Sequence, residues 1–462
     1  MSEASTPPAS GGGARVSLED FALRGVELLK REDPVLAQLI EAEYARQVNS
    51  LAMVASCSTA HPSVLACEGT FTSNVTAEGY PGHRHHAGCK YVDQFEQLAI
   101  DRAKQAFGAS FANVQPHSAS TANQIVTSGV LKPGGTLLGL ELDSGGHLSH
   151  GSKVNISGKF YNAVGYGLDA EGRIDYERMA DLAREHKPGL IICGTTAYPR
   201  TIDWQRFRDV ADEVGAYLLA DITHIAGLVI AGEQPNPIDI AHFTVTCTHK
   251  QLYGPRGGLI LMGKDADLPA PVGKGPLSGL MQRRLFPFTQ GAPLVNMIVA
   301  KARALDRACK PEFKRQGQLI VKLAQALATA LLERGARVLS GGTDNHIVLV
   351  NVLESFGVSG VAAEKALEEC NIIVNKNRIA GDTKPVSISS GIRIGTNSLV
   401  VRNAAPEDMA WCADLIVRVL SSIEMQGERE YVLAPEQRAA FQAEVAAFCV
   451  AHPLADYPIK TD

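Results

Sequence analysis

An aspartate, a histidine and a lysine fall close together in the middle of this chain, in Asp221-Ile-Thr-His224 and at the end of Phe243-Thr-Val-Thr-Cys-Thr-His-Lys250. A lysine amine can hold an aldehyde, and a carboxylate can keep a pyridine nitrogen protonated. The pair therefore suits a Schiff-base cofactor used as an electron sink. Each residue has a plainer role too: lysine is usually a solvated charge, and an aspartate after a strand often caps a helix.

Such a cofactor brings a phosphate, and His117-Ser118-Ala119-Ser120 follows Asn113-Val-Gln-Pro116 just before a helical stretch, Thr121–Val130. Hydroxyls and free N-terminal amides together make an anion site, although a serine N-cap alone would look the same. Gly145-Gly146-His147 offers a flat ring at the end of another apolar run. Arg393, in Ser390-Gly-Ile-Arg393-Ile-Gly-Thr396, offers a guanidinium fork for a substrate carboxylate unless it is an ordinary surface arginine.

These residues need a common platform. The apolar runs Thr136–Leu142, Leu190–Cys193, Tyr217–Ala220, Phe243–Thr246 and Leu259–Met262 read as buried strands, and Tyr176–Arg184 and Trp204–Val214 carry helical periodicity between them. That rhythm predicts an α/β fold with a mostly parallel sheet and chemistry at the carboxyl ends of its strands. Lys264–Arg284, rich in Pro and Gly, reads as loop. A long helical stretch from Val295 to Glu333 then leads to strands within Val338–Val352 and Asn371–Asn377, a smaller α+β domain. Asp33-Pro34 before Val35, Leu36, Leu39 and Ile40 starts a helical arm, and Met1 to Ala14 is expected to be disordered. The expected division is 1–50 (tail and arm), 51–300 (large cofactor domain) and 301–462 (small domain).

With 462 residues, 20% charged and a formal net charge of −5, the chain has no basic surplus for nucleic acid or a membrane surface. Its nine cysteines form no metal-ligand or redox spacing, so reduced thiols and no metal are expected. With no signal peptide pattern or long apolar run read from the sequence, a cytoplasmic setting is the expectation.

Taken in order, Glu78-Gly-Tyr-Pro-Gly, Gly88-Cys-Lys-Tyr-Val-Asp93, Ala112-Asn-Val-Gln-Pro-His-Ser118, Gly145-Gly-His-Leu-Ser-His-Gly151, Thr248-His-Lys250 and Gly341-Gly-Thr-Asp-Asn-His346 resemble the serine hydroxymethyltransferase family. The resemblance runs from about residue 30 to 455 and includes Val374-Asn-Lys-Asn377 and Ser390-Gly-Ile-Arg393. It implies a fold-type-I pyridoxal-phosphate transferase, with a mostly parallel seven-stranded sheet and helices on both faces, working as a homodimer with shared sites. By that resemblance Lys250 is the Schiff-base lysine, Asp221 serves the pyridine nitrogen, and His147 lies over the ring. His224 meets the phenolic oxygen. Ser118, Ala119, Ser120 and His249 serve the phosphate, with Gly291-Ala292 where the family has Gly-Gly. Arg393 and Ser56 would take the substrate carboxylate, Arg256 would support the site, and Glu78, given across the dimer, would be the acid/base. Leu142, Gly146, Leu148 and Asn377 would contact tetrahydrofolate, the co-substrate.

The departures concern the substrate. The family has tyrosine where this chain has Thr76, two tyrosines at His85 and His86, and Glu-Asn at Cys57-Ser58. Lost ring volume there leaves room for a methyl on the α-carbon. The expected reaction is therefore 2-methylserine and tetrahydrofolate going to D-alanine and 5,10-methylenetetrahydrofolate. The alternatives are the ordinary L-serine/glycine reaction and a folate-independent aldolase or threonine transaldolase.

Overall fold

The computed structural model describes residues 16–459, so the amino-terminal stretch expected to be disordered lies outside the described residues. The described residues divide into two compact units, one ending at Gln47 and the other beginning at Val48. The first carries the helical arm. Ser17 caps Leu18–Glu32, and Asp33 Oδ1 accepts the Leu36 N–H at 3.0 Å to start Pro34–Val48, as the Asp-Pro pair predicts.

In the second unit a seven-stranded sheet runs in the order Phe111–Asn113, Gly258–Met262, Phe243–Cys247, Tyr217–Asp221, Leu190–Gly194, Thr136–Leu140, Asn162–Tyr166. Only Gly258–Met262 runs against the others. Successive residues of a strand face opposite ways, and here both faces are covered. Leu138, Ile191 and Leu218 enter one core with Trp204 and Phe207, while Leu137, Ile192 and Leu219 enter another with Ile125, Phe243 and Met281. This double burial explains why the strands are continuous apolar runs.

A four-stranded antiparallel sheet, ordered Arg337–Val338, Ile347–Asn351, Gly391–Gly395, Asn375–Asn377, carries Arg393. Leu51–Ala52 pairs with Ile372–Ile373, and the Gly395 N–H donates to the Met53 carbonyl at 2.8 Å, so the chain leading to Ser56 lies beside the Arg393 strand.

Several expected boundaries move. The long helix is two, Val295–Ala308 and Pro311–Glu333, because Pro311 has no N–H to continue a helix and instead begins one. The expected loop Lys264–Arg284 contains the helix Leu277–Arg283, whose buried Leu277, Leu280 and Met281 form an apolar stripe among the prolines and glycines. Val338–Val352 is interrupted at Gly341 and Gly342, both at positive φ (69° and 145°). Thr136–Leu142 stops as a strand at Leu140, and Leu142–Ser144 is a helical turn. All nine cysteines are free thiols. No described helix is long and apolar enough to cross a membrane.

Candidate active site

Three strand ends and one helix start converge on a cavity of about 220 Å³ lined by Ser118, Ser120, His147, Asp221, His249 and Lys250, among others. Ser118 caps the helix Ala119–Val130, its Oγ accepting the Thr121 N–H at 3.0 Å. The capping and anion-site readings of that serine are therefore compatible, because a cap still leaves other first-turn amides free.

Asp221 is 6% exposed and sits inside a fan of donors. His150 Nε2 lies 3.0 Å from its Oδ2, Asn123 Nδ2 donates to the same oxygen at 2.8 Å, and the Thr223 N–H donates to Oδ1 at 3.0 Å. Burial alone would raise this carboxyl, but the hydrogen bond and charge of His150 outweigh it and hold Asp221 well below the usual carboxylate range. It is a permanent buried anion. His147 is oriented through the same donors: Asn123 also reaches Ser149 Oγ at 2.9 Å, which lies 2.8 Å from His147 Nδ1. The Ser149 N–H also donates to that Nδ1, so the ring proton belongs on Nε2. Burial and the neighbouring His150 push His147 down to about 4, leaving a neutral ring.

Lys250 Nζ is 2.8 Å from His224 Nε2. Burial lowers the lysine pKa, which favours the unprotonated amine a nucleophile needs. Burial and the Lys250 charge push His224 well below its ordinary value, and its ring lies nearly parallel to His346, centroids 5.7 Å apart. His249 is lowered to about 4 by burial and by Arg256, whose Nη1 is 3.4 Å away. Ser58 Oγ donates to the His249 carbonyl.

Arg393 is 9% exposed and burial lowers it to about 10, against an opposing pull from Cys57. Its Nε donates to Asn375 Oδ1 at 3.1 Å and its Nη1 to the carbonyl of Thr196, a cavity residue. Among the described residues no carboxylate pairs with it. A guanidinium desolvated without a counter-ion is costly unless an anion arrives.

Other expected residues lie elsewhere. Glu78, Thr76, His86, Gly291 and Ala292 are outside the lining of this cavity. Thr76, His85 and His86 are exposed, the His85 N–H donates to the Glu78 carbonyl at 3.0 Å, and a Cβ on Gly291 would stand 3.5 Å from Glu78 Oε1. They form a second group. Leu142 and Leu148, 43% and 42% exposed, flank buried Gly146, and the ion pair of Asp143 with Arg378 brings their turn to Asn377. Sequence reasoning missed Thr195, Thr196, Thr223 and Cys247 in the lining and Asn123, Ser149 and His150 behind it. The strand-end rule would have found the first four, since each follows or ends a strand of the sheet.

Thr223 Oγ1, His224 Nδ1 and His249 Nδ1 are buried without a partner among the described residues, which fits a polar ligand between Asp221 and the Ser118 turn. Lysine, buried carboxylate, hydroxyl-lined helix start and doubly covered sheet define a pyridoxal-phosphate enzyme of fold type I. The family model described as serine hydroxymethyltransferase matches residues 29–416. The chain is 48% identical over 393 residues to the serine hydroxymethyltransferase of Alkalilimnicola ehrlichii, covering 85% of this chain and 91% of that one. It is 45% identical over 442 residues to that of Acinetobacter baylyi (96% and 99%) and 48% over 395 residues to that of Xanthomonas campestris pv. campestris strain B100 (85% and 92%). The chain belongs to the serine hydroxymethyltransferase family: it is a pyridoxal-phosphate-dependent hydroxymethyltransferase acting on a small amino acid, with tetrahydrofolate as co-substrate.

Proposed function

We infer that this chain interconverts L-serine and glycine, passing the β-carbon to and from tetrahydrofolate, as a cytoplasmic homodimer with shared sites. One observation carries the amino-acid part: Arg393, buried, without a carboxylate partner and bonded to a residue of the Lys250 cavity, suits a substrate carboxylate. The names of the relatives weigh for L-serine and glycine over the pair expected from Thr76 and His86.

Pyridoxal phosphate, when bound, supplies an aldehyde for an amine and a conjugated ring that accepts the electron pair released at the α-carbon. The chain's residues do the rest. Lys250 would hold the cofactor through its amine. Asp221, fixed as an anion, keeps a proton on the pyridine nitrogen. His147, neutral and held by Ser149, would lie over the ring, and His224 would offer a hydrogen bond to the phenolic oxygen. Ser118, Ala119, Ser120 and His249 would hold the phosphate, with Gly291-Ala292 near it. Arg393 and Ser56 grip the carboxylate, and Arg256 steadies His249. Glu78, reaching across the dimer, moves the proton of the substrate hydroxyl. Leu142, Gly146, Leu148 and Asn377 border the folate. The division near residues 50 and 300 belongs to the same proposal, supported by a core built mainly from residues 320–449 apart from the two that sandwich the large sheet.

A second reading, 2-methylserine and D-alanine, is favoured by the exposure of Thr76 and His86 beside Glu78: packing within this chain does not require their small size. The test is to give the holoenzyme L-serine, glycine, 2-methylserine or D-alanine, with and without tetrahydrofolate, and to quantify products. Folate-dependent turnover of L-serine is expected. Turnover confined to 2-methylserine and D-alanine would replace the first reading by the second.

A further inference from the structure

Lys301 is 2% exposed on the helix Val295–Ala308, yet among the described residues no carboxylate bonds to it. Its ammonium donates to three backbone carbonyls instead: Val114 at 2.6 Å, Pro116 at 3.1 Å and Gly258 at 3.0 Å. A lysine is almost never so buried without a partner, and an apolar side chain would fill the space more cheaply. The carbonyls it gathers are therefore the informative part. Val114 and Pro116 belong to the extended segment that leads into Ser118, and the Gly258 N–H donates back to the Pro116 carbonyl at 2.8 Å.

The packing leaves this arrangement little slack. A Cβ on Gly257 would stand 2.2 Å from Lys301 Cε, and one on Gly258 would stand 2.4 Å from the Ser118 carbonyl oxygen. From the other side Gln290, 8% exposed, accepts the His117 N–H at 3.1 Å and donates to the Gln115 carbonyl at 3.2 Å. The Gln115 side chain in turn donates to Glu96 at 2.7 Å and to the carbonyl of Gly79, next to Glu78, at 2.9 Å.

The geometry points to Lys301 as a positioning residue for the cofactor's phosphate: by drawing in the carbonyls of Val114, Pro116 and Gly258 it sets the place of the Ser118–Ser120 turn, which Gln290 clamps from the opposite side. This rests on the reading of that turn as the phosphate site. Lys301 touches neither cofactor nor substrate in this scheme. Its effect should thus fall on the phosphate group and not on the pyridine ring.

The discriminating experiment compares pyridoxal phosphate with pyridoxal, which lacks the phosphate, as ligands of the full-length apoprotein, by equilibrium titration. In K301M the dissociation constant for pyridoxal phosphate should rise about ten-fold or more, the loss expected when hydrogen bonds to a charged group disappear. That for pyridoxal should stay within about two-fold of the unmutated chain, and K301R should recover part of the loss. Equal weakening of both ligands would reduce Lys301 to general stability and overturn the inference, as would unchanged binding of both. If K301M does not fold, the decision passes to Q290M, for which the same selective loss supports the scheme and no selectivity overturns it. Failure of the unmutated chain to prefer pyridoxal phosphate over pyridoxal would instead reject the phosphate-site reading.

Discussion

Around Lys250 one chain supplies partners for most polar groups: Asp221 has His150, Asn123 and Thr223, and His147 has Ser149. Around Glu78 the picture reverses. Thr76, His85 and His86 are exposed, and Gly291 lies open beside the carboxylate. The first region is preorganised and needs only its ligand. The second has side chains suited to chemistry, but they lie outside the lining of the Lys250 cavity. The difference teaches that cofactor and substrate functions are separable within the chain, with the substrate side completed by a second copy in our proposal.

The sharpest attempt to break that comparison is complementation. Lys250→Ala and Glu78→Gln should each lower turnover by roughly 10²–10⁴-fold, the usual weight of a nucleophile or acid/base group. Mixed and allowed to exchange subunits, they should recover about a quarter of normal activity, because half the dimers then carry one intact site in two. No recovery would place both residues in one chain's site. Asp221→Asn tests the preorganised side alone: kcat should drop roughly 10²–10³-fold, as when a fixed charge at a reacting system is removed. The unmutated enzyme should show no titration of Asp221 between neutral and mildly acid pH, which a pH–rate profile would check.

Arg393→Lys should raise KM for the amino acid by roughly 10–100-fold through loss of the two-point grip, with the visible absorption of bound cofactor unchanged. Thr76→Tyr is a smaller change on the open side. It should lower kcat/KM for 2-methylserine relative to L-serine by about ten-fold, the scale of one crowded methyl group, and leave cofactor affinity alone. The gentlest effect is on stability. Burial holds His147 and His249 at about 4 and His346 at about 3, whereas the unfolded chain takes up these protons near its ordinary histidine value. Folded pKa values below the unfolded ones mean that stability is greatest above about pH 6.5 and declines as pH falls toward 4. Urea midpoints across that range would follow it.

How much of this was legible beforehand depended on whether the signal was local. Lys250, Asp221 and His224 stand at ends of apolar runs, so the strand-end rule finds them without a structure. The helix Leu277–Arg283 was hidden because its three apolar residues sit among prolines and glycines that suggest loop. Lys301 was hidden for a different reason: a lysine in an amphipathic helix reads as solvated, and nothing local reveals that three carbonyls from distant segments meet it. The separation of Glu78 from Lys250 is likewise tertiary, and motif spacing carries no sign of it.

Arg393 has one more consequence, for the choice of medium. A desolvated guanidinium with no acid paired to it among the described residues is a general receptor for small anions, so in our proposal chloride, sulfate or acetate in the buffer competes with the amino acid for the same seat. Ionic composition then enters the rate law as an inhibitor concentration, and the KM of this enzyme is defined only together with the salt in which it was taken.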